Sequence, residues 1–154
     1  MKFNRPPFIL AALLAGLTAT ASQAQDGAEA LFKAECSACH MAYPAGFLPT
    51  RSWQAIMVDL PNHFGEDASL TEHDRATIEA YLVANAADRN GRMPRWLKTL
   101  PHNAVPMRIS ELSWFTHEHG NRVANRIKAD PTIGSIANCV ACHKGAERGY
   151  FDDD

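Results

Sequence analysis

A chain of 154 residues with no basic excess, no apolar run beyond its N-terminus and no cysteine outside two short motifs leaves few functions open. Its 15 Lys and Arg are outnumbered by 17 Asp and Glu and form no stripe, so nucleic acid is not an expected partner. Past residue 24 no stretch approaches the roughly 20 apolar residues that a membrane-crossing helix needs. Period-two alternation is nearly absent as well, which argues against strands and for helices.

What the sequence does contain is Cys36-Ser37-Ala38-Cys39-His40 and a second copy, Cys139-Val140-Ala141-Cys142-His143. These two motifs consume all 4 cysteines. Redox disulfides, a zinc site of four thiolates, or a secreted disulfide framework would each use such pairs. None of them needs a His after the second Cys. With 7 His in 154 residues, two such placements by accident have odds of about one in five hundred. Covalent attachment of a c-type haem does need that spacing. Two thiols one turn apart add to two vinyl groups, and the adjacent imidazole falls under the iron. Two covalently bound c-type haems are therefore expected, at Cys36, Cys39, Cys139 and Cys142, with His40 and His143 each filling one axial position.

The first 24 residues read as an export signal. Lys2 and Arg5 precede an apolar stretch from Phe8 to Leu17, and Ser22-Gln23-Ala24 is a small-residue cleavage site. Cleavage after about Ala24 and a periplasmic mature chain 25–154 are the expectation. Losing Lys2 and Arg5 lowers the basic count from 15 to 13 against 17 acidic residues, a net charge of −4. Haem propionates add to that acidity, which suits a basic docking face on a redox partner.

Helical spacing dominates the mature chain. Ala28, Leu31, Phe32 and Cys36 place the first motif at the end of one helix. Residues 40–50 read as loop, and Ser52 as the N-cap of a second helix with a stripe of Trp53, Ile56, Met57 and Leu60, ended at Pro61. Thr71 with Asp74 resembles a capping box for a third helix through Ile78, Tyr81, Leu82 and Asn85, stopping before Asn90-Gly91. Three prolines and no period mark 91–106 as a loop between two haem regions. Ser110 or Ser113 starts a fourth helix through Trp114, Phe115 and His119, broken near Gly120 and resumed to Ala129. Ser135 or Asn138 caps a short helix holding the second motif, with Gly145 closing it. Asp152 to Asp154 read as a solvated tail.

The remaining axial positions decide the function, because a closed iron carries electrons and an open one binds small molecules. Five His are left: His63, His73, His102, His117 and His119. His63 follows the break at Pro61, beside Phe64 and Gly65, and a loop histidine there reaches a haem face. Met93, in Met93-Pro94, is its rival. His73 lies between Glu72 and Asp74 in a polar turn, and His102 is flanked by Pro101 and Asn103; both read as exposed. His117 and His119 sit about 200° apart around a helix, so they do not share an iron. His119 shares a face with Phe115 and Leu112 and is preferred over His117.

The order and spacing of Glu35 to Pro44, Leu48-Pro49, Ser52-Trp53, His63-Phe64-Gly65, Ala68 to Leu70, Ile78 to Leu82 and Asn85 to Ala87 give the chain a family resemblance. Arg108 to Ser110, Trp114-Phe115 leading to His119, Asn138 to His143, and Ala146 continue it. It resembles the small periplasmic dihaem cytochromes c found with an oxygen-binding monohaem cytochrome, the sphaeroides haem protein. The resemblance implies an all-α fold with a cytochrome c-like N-terminal haem domain and a smaller helical C-terminal haem domain. It also implies bis-His iron, His40 with His63 and His143 with His119. The implied role is electron delivery to the monohaem partner from a membrane cytochrome b.

The expectation is thus a periplasmic electron carrier, not an enzyme. Its signal peptide is 1–24, its N-terminal haem domain 25–106 and its C-terminal haem domain 107–154. The alternative is a peroxidase-like haem enzyme or ligand sensor with one labile axial ligand. Known dihaem peroxidases are much longer chains, and no catalytic acid or base stands beside either motif.

Overall fold

A computed structural model describes residues 12–89, 91 and 93–151. Lys2, Arg5 and Phe8 of the expected signal, Asn90 of the expected turn and the acidic tail 152–154 lie outside them. Five α-helices follow one another: α1 (Ala12–Cys36), α2 (Thr50–Val58), α3 (Glu72–Ala84), α4 (Arg95–Thr99) and α5 (Ser113–Ala129). Short 3-10 turns join them. Among the described residues there is no strand, only an isolated bridge between His63 and Glu66. Within the same residues, no helix is long and apolar enough to cross a membrane.

Apolar spacing builds the core. Helices α1 and α2 both pack on α3, whose Ile78 and Leu82 are sealed from solvent. Phe32 comes from α1, and Trp53, Ile56 and Met57 from α2; Leu60 follows just after it. The Trp53 indole N–H donates to the Ala45 carbonyl at 2.7 Å, satisfying the one polar atom that this large side chain buries. Leu112 and Phe115, beyond the expected boundary at residue 106, belong to the same cluster.

Local signals hold in part. Thr71 caps α3, accepting from the Asp74 N–H at 3.2 Å, with its hydroxyl on the Asp74 carboxylate at 2.7 Å. Gly120 has non-helical dihedrals and kinks α5 where the sequence breaks. Ser52 is not an N-cap. Helix α2 begins at Thr50, and its cap comes from Asp88, 38 residues away. The Asp88 carboxylate accepts from the Thr50 N–H at 2.9 Å and from its hydroxyl at 2.7 Å, leaving Ser52 buried inside the helix. Helix α4 arises within a stretch that reads as loop, because Leu97 finds a buried position there. Helix α3 ends at Ala84, where Asn85 turns its side-chain amide back onto the Tyr81 carbonyl at 2.8 Å.

Candidate functional site

The two Cys motifs are wound differently. The first closes α1, where the Ser37 N–H still donates to the Lys33 carbonyl at 3.1 Å. The second is a tight turn, not an α-helix. Cys142 and His143 N–H groups both donate to the Cys139 carbonyl, at 3.1 and 2.8 Å. The four thiols stand unbridged. Burial, with Glu35 beside it, pushes the Cys36 thiol up to about 11, and burial also raises Cys139. Neither has the electropositive setting that makes a thiolate nucleophile.

The imidazoles fall into two pairs. His40 faces His63 with ring centroids 6.1 Å apart and planes 24° apart. His119 faces His143 at the same 6.1 Å, with planes 73° apart. An imidazole centroid lies about 3.1 Å from a metal bound through a nitrogen at about 2.0 Å. Two rings on opposite faces of one metal therefore stand about 6.3 Å apart. Both pairs have that spacing within a few tenths of an ångström. Among the described residues, no group of three or more His, Cys, Asp or Glu converges on a point that would hold a bare ion. Two imidazoles per site, with thiols alongside, suit a planar ligand that supplies the equatorial donors itself.

The supports of the four rings differ. His40 Nδ1 lies 2.7 Å from the Met41 carbonyl, and the Tyr43 ring stacks on it at 4.8 Å. His119 Nδ1 lies 3.0 Å from the Phe115 carbonyl, and the Phe115 ring lies parallel to it at 4.0 Å. Such contacts fix ring orientation and leave Nε2 for a metal. His143 packs against Phe151 at 5.7 Å, Phe151 against Phe47 at 5.1 Å, and Phe47 against Trp114 at 5.6 Å. The second site is thus walled partly by Phe47 from the first half. The Trp114 indole N–H is buried without an acceptor, an opening for a polar edge of a bound group.

His63 sits on a turn. The Glu66 N–H closes onto the His63 carbonyl at 3.1 Å, and the central residues have positive φ, 54° at Phe64 and 104° at Gly65. A type I′ turn has that pattern and favours Asn or Gly at its first central position. Phe there costs on the order of 1–3 kcal/mol. Its ring meets the edge of His63 at 4.8 Å, and the Arg108 guanidinium lies over it at 4.1 Å. Burial first, then the charges of His40 and Arg108, lower the His63 pKa, which favours the neutral imidazole, the form that binds metal.

The residues not brought together are equally plain. His73, His102 and His117 are exposed, and Met93 is half exposed while His63 takes the place opposite His40. Sequence reasoning gave no role to Tyr43, Phe47, Arg108 or Phe151. Tyr43 alone carries a signal, an aromatic three residues after His40. Its hydroxyl donates to the Ala137 carbonyl at 2.9 Å, tying the first motif to the approach of the second.

Residues 32–151 match the family model described as dihaem cytochrome c. Among solved structures, a dihaem cytochrome c from Rhodobacter sphaeroides is 58% identical, with a TM-score of 0.72, covering 79% of this chain and 94% of that one. A crystal structure of a DHC purified from R. sphaeroides is 53% identical, with a TM-score of 0.62, covering 79% and 95%. A dihaem cytochrome type c from Shewanella baltica OS155 is 39% identical, with a TM-score of 0.66, covering 81% and 88%. No curated protein matches the chain.

Proposed function

Because the chain belongs to the dihaem cytochrome c family, a haem electron-transfer protein with two covalent c-type haems, we propose that it is a carrier whose irons are each closed by two imidazoles. His40 pairs with His63 at the first site and His119 with His143 at the second; Cys36, Cys39, Cys139 and Cys142 hold the two porphyrins. The observation that most supports this reading is the 6.1 Å spacing shared by both ring pairs.

A c-type haem supplies a one-electron iron couple when bound. The chain's own part is to hold that iron in one geometry in both oxidation states. His40 and His119 are oriented through Nδ1, and the aromatic wall of Phe47, Trp114, Phe115 and Phe151 keeps water from the second site. With His40, His63, His119 and His143 all engaged in holding the two haems, peroxide and dioxygen would find no open place to bind, which favours transfer over catalysis. Imidazole on both faces also keeps the potentials low compared with a His/Met iron.

The proposed setting is the periplasm. Lys2 and Arg5, the apolar stretch to Leu17 and Ser22-Gln23-Ala24 support export and cleavage after about Ala24. The proposed acceptor is an oxygen-binding monohaem cytochrome, and the donor a membrane cytochrome b. The acidic balance of 17 against 13 basic residues past Arg5 supports a partner with a basic face.

The ring-plane angles provide the test. Near-parallel axial imidazoles, as at 24°, give a rhombic low-spin ferric signal, and planes near 73° a strongly anisotropic one. Wild type is expected to show both by electron paramagnetic resonance. His63→Ala removes the rhombic signal, His119→Ala removes the other, and His117→Ala removes neither. A high-spin iron in wild type, or loss of the second site's signal in His117→Ala alone, defeats the assignment.

A further inference from the structure

Of the two partner ligands, His119 is held by a helix, by a carbonyl on its Nδ1 and by a parallel phenyl ring. His63 has a different support. It lies past the end of α2 on a turn, and among the described residues no hydrogen bond reaches its ring. What touches that ring from outside the pair is Phe64. Phe64 itself occupies a backbone region that bulky residues avoid. The turn is therefore poised to relax, and relaxation would swing His63 away from His40.

One contact from the second half of the chain opposes this. Arg108 places its guanidinium 4.1 Å from the Phe64 ring centroid, within cation–π range, and its Nε pairs with the Glu111 carboxylate at 3.6 Å. We propose that Phe64 and Arg108 form a latch that keeps His63 on the first iron, making them positioning residues for that ligand. The first site is then the one that opens to exogenous ligands when the latch is broken, and the second stays closed. The latch rests on His63 being the ligand.

The test uses the full-length holoprotein in its ferric form, with cyanide as the probe ligand. The observable is the rate at which the rhombic low-spin signal is converted to the cyanide form, with the strongly anisotropic signal as internal control. Arg108→Gln and Phe64→Leu are each expected to speed conversion at the first site about three- to fivefold, the effect of losing roughly 0.6–1 kcal/mol at an exposed cation–π contact. The second site is expected to keep its wild-type rate. Arg108→Lys, which keeps a cation, is expected to restore most of the protection. The double variant is expected to be no faster than either single one. A purely structural contribution would lower melting temperature and open both sites alike. Rates within twofold of wild type in Arg108→Gln, or equal acceleration at both sites, overturn the latch. Wild type that lacks two low-spin signals overturns instead the ligand assignment beneath it.

Discussion

Asp88 is the residue whose removal most directly tests how the first site is braced. Its carboxylate takes the Thr50 N–H at 2.9 Å and the Thr50 hydroxyl at 2.7 Å, capping α2 from across the fold. Helix α2 leads through the Leu60–Asn62 turn to His63, so the cap fixes the start of the element that carries a proposed ligand. Helix N-caps are worth about 0.5–2 kcal/mol, and bonds to a charged acceptor lie toward the upper end. The pair is half-buried, so water replaces part of the loss on truncation. Asp88→Ala is therefore expected to cost about 1.5 kcal/mol in urea denaturation followed by far-ultraviolet circular dichroism, or roughly 5–8 °C in melting temperature. Asp88→Asn keeps an acceptor oxygen and should cost less than half as much. The pH dependence follows from the shift. Burial alone would raise the Asp88 pKa, but the two bonds from Thr50, with Asp88's own backbone N–H and the charge of Arg89, outweigh it and leave the carboxyl below its unfolded value of 3.8. A depressed carboxylate stabilises the fold above that value and loses its contribution as pH falls through the folded one. The gap between wild type and Asp88→Ala should be full above about pH 5 and close below 3.8. Comparing the two proteins cancels acid loss of imidazole ligands common to both. A gap under 0.5 kcal/mol at neutral pH, or one that widens in acid, refutes the tertiary cap.

Two further substitutions probe the core and the second site. Ile78, at 0% exposure between the helices, should cost about 3 kcal/mol on truncation to Ala in the same urea assay, and a loss under 1 kcal/mol would mean the helices repack freely. A Cβ at Gly145 would stand 2.7 Å from the Tyr150 Cβ and 3.2 Å from its carbonyl oxygen, so Gly145→Ala should strain the turn after His143 by about 1–3 kcal/mol. It should shift the strongly anisotropic signal while sparing the rhombic one, with Tyr150→Gly giving partial relief; an unaltered spectrum and stability would show that the turn yields.

What the sequence made legible was what is local in chain and chemistry. The Cys-x-x-Cys-His motifs declare themselves because two thiols and an imidazole must share one turn. His119 could be separated from His117 because a helical stripe assigns faces, and the structure puts His119 on the Phe115 ring with His117 in solvent. His63 against Met93 was harder, since neither lies on a periodic element. The contacts that brace the sites were illegible for a different reason. Asp88 on Thr50, Tyr43 on Ala137 and Arg108 on Phe64 join residues 38, 94 and 44 positions apart. Ser52 resembled a cap because Ser commonly is one, and only the fold reveals a better acceptor already in place.

Those long-range contacts bear on how two haem sites share one small chain. The boundary expected at residue 106 separates the motifs along the sequence, yet each site borrows from the other side of it. Phe47 of the first half lies between Trp114 and Phe151 in the wall of the second site, and Tyr43 reaches from the His40 stack to the carbonyl two residues before Cys139. In return, Arg108 from the second half covers the turn that carries His63, and Leu112 and Phe115 join the core built by Phe32, Trp53 and Ile78. A chain of this size buries only a modest core of its own, so two covalent haems would supply apolar surface for its side chains to pack against. Sharing core residues across the boundary gives each half apolar contacts it could not supply alone. It also holds the two imidazole pairs in one frame, with Tyr43 linking the His40 ring to the backbone ahead of the second motif. Electron transfer needs that frame to stay fixed through repeated changes of iron charge. Rigid sharing of one core serves a carrier better than two loosely tethered domains would.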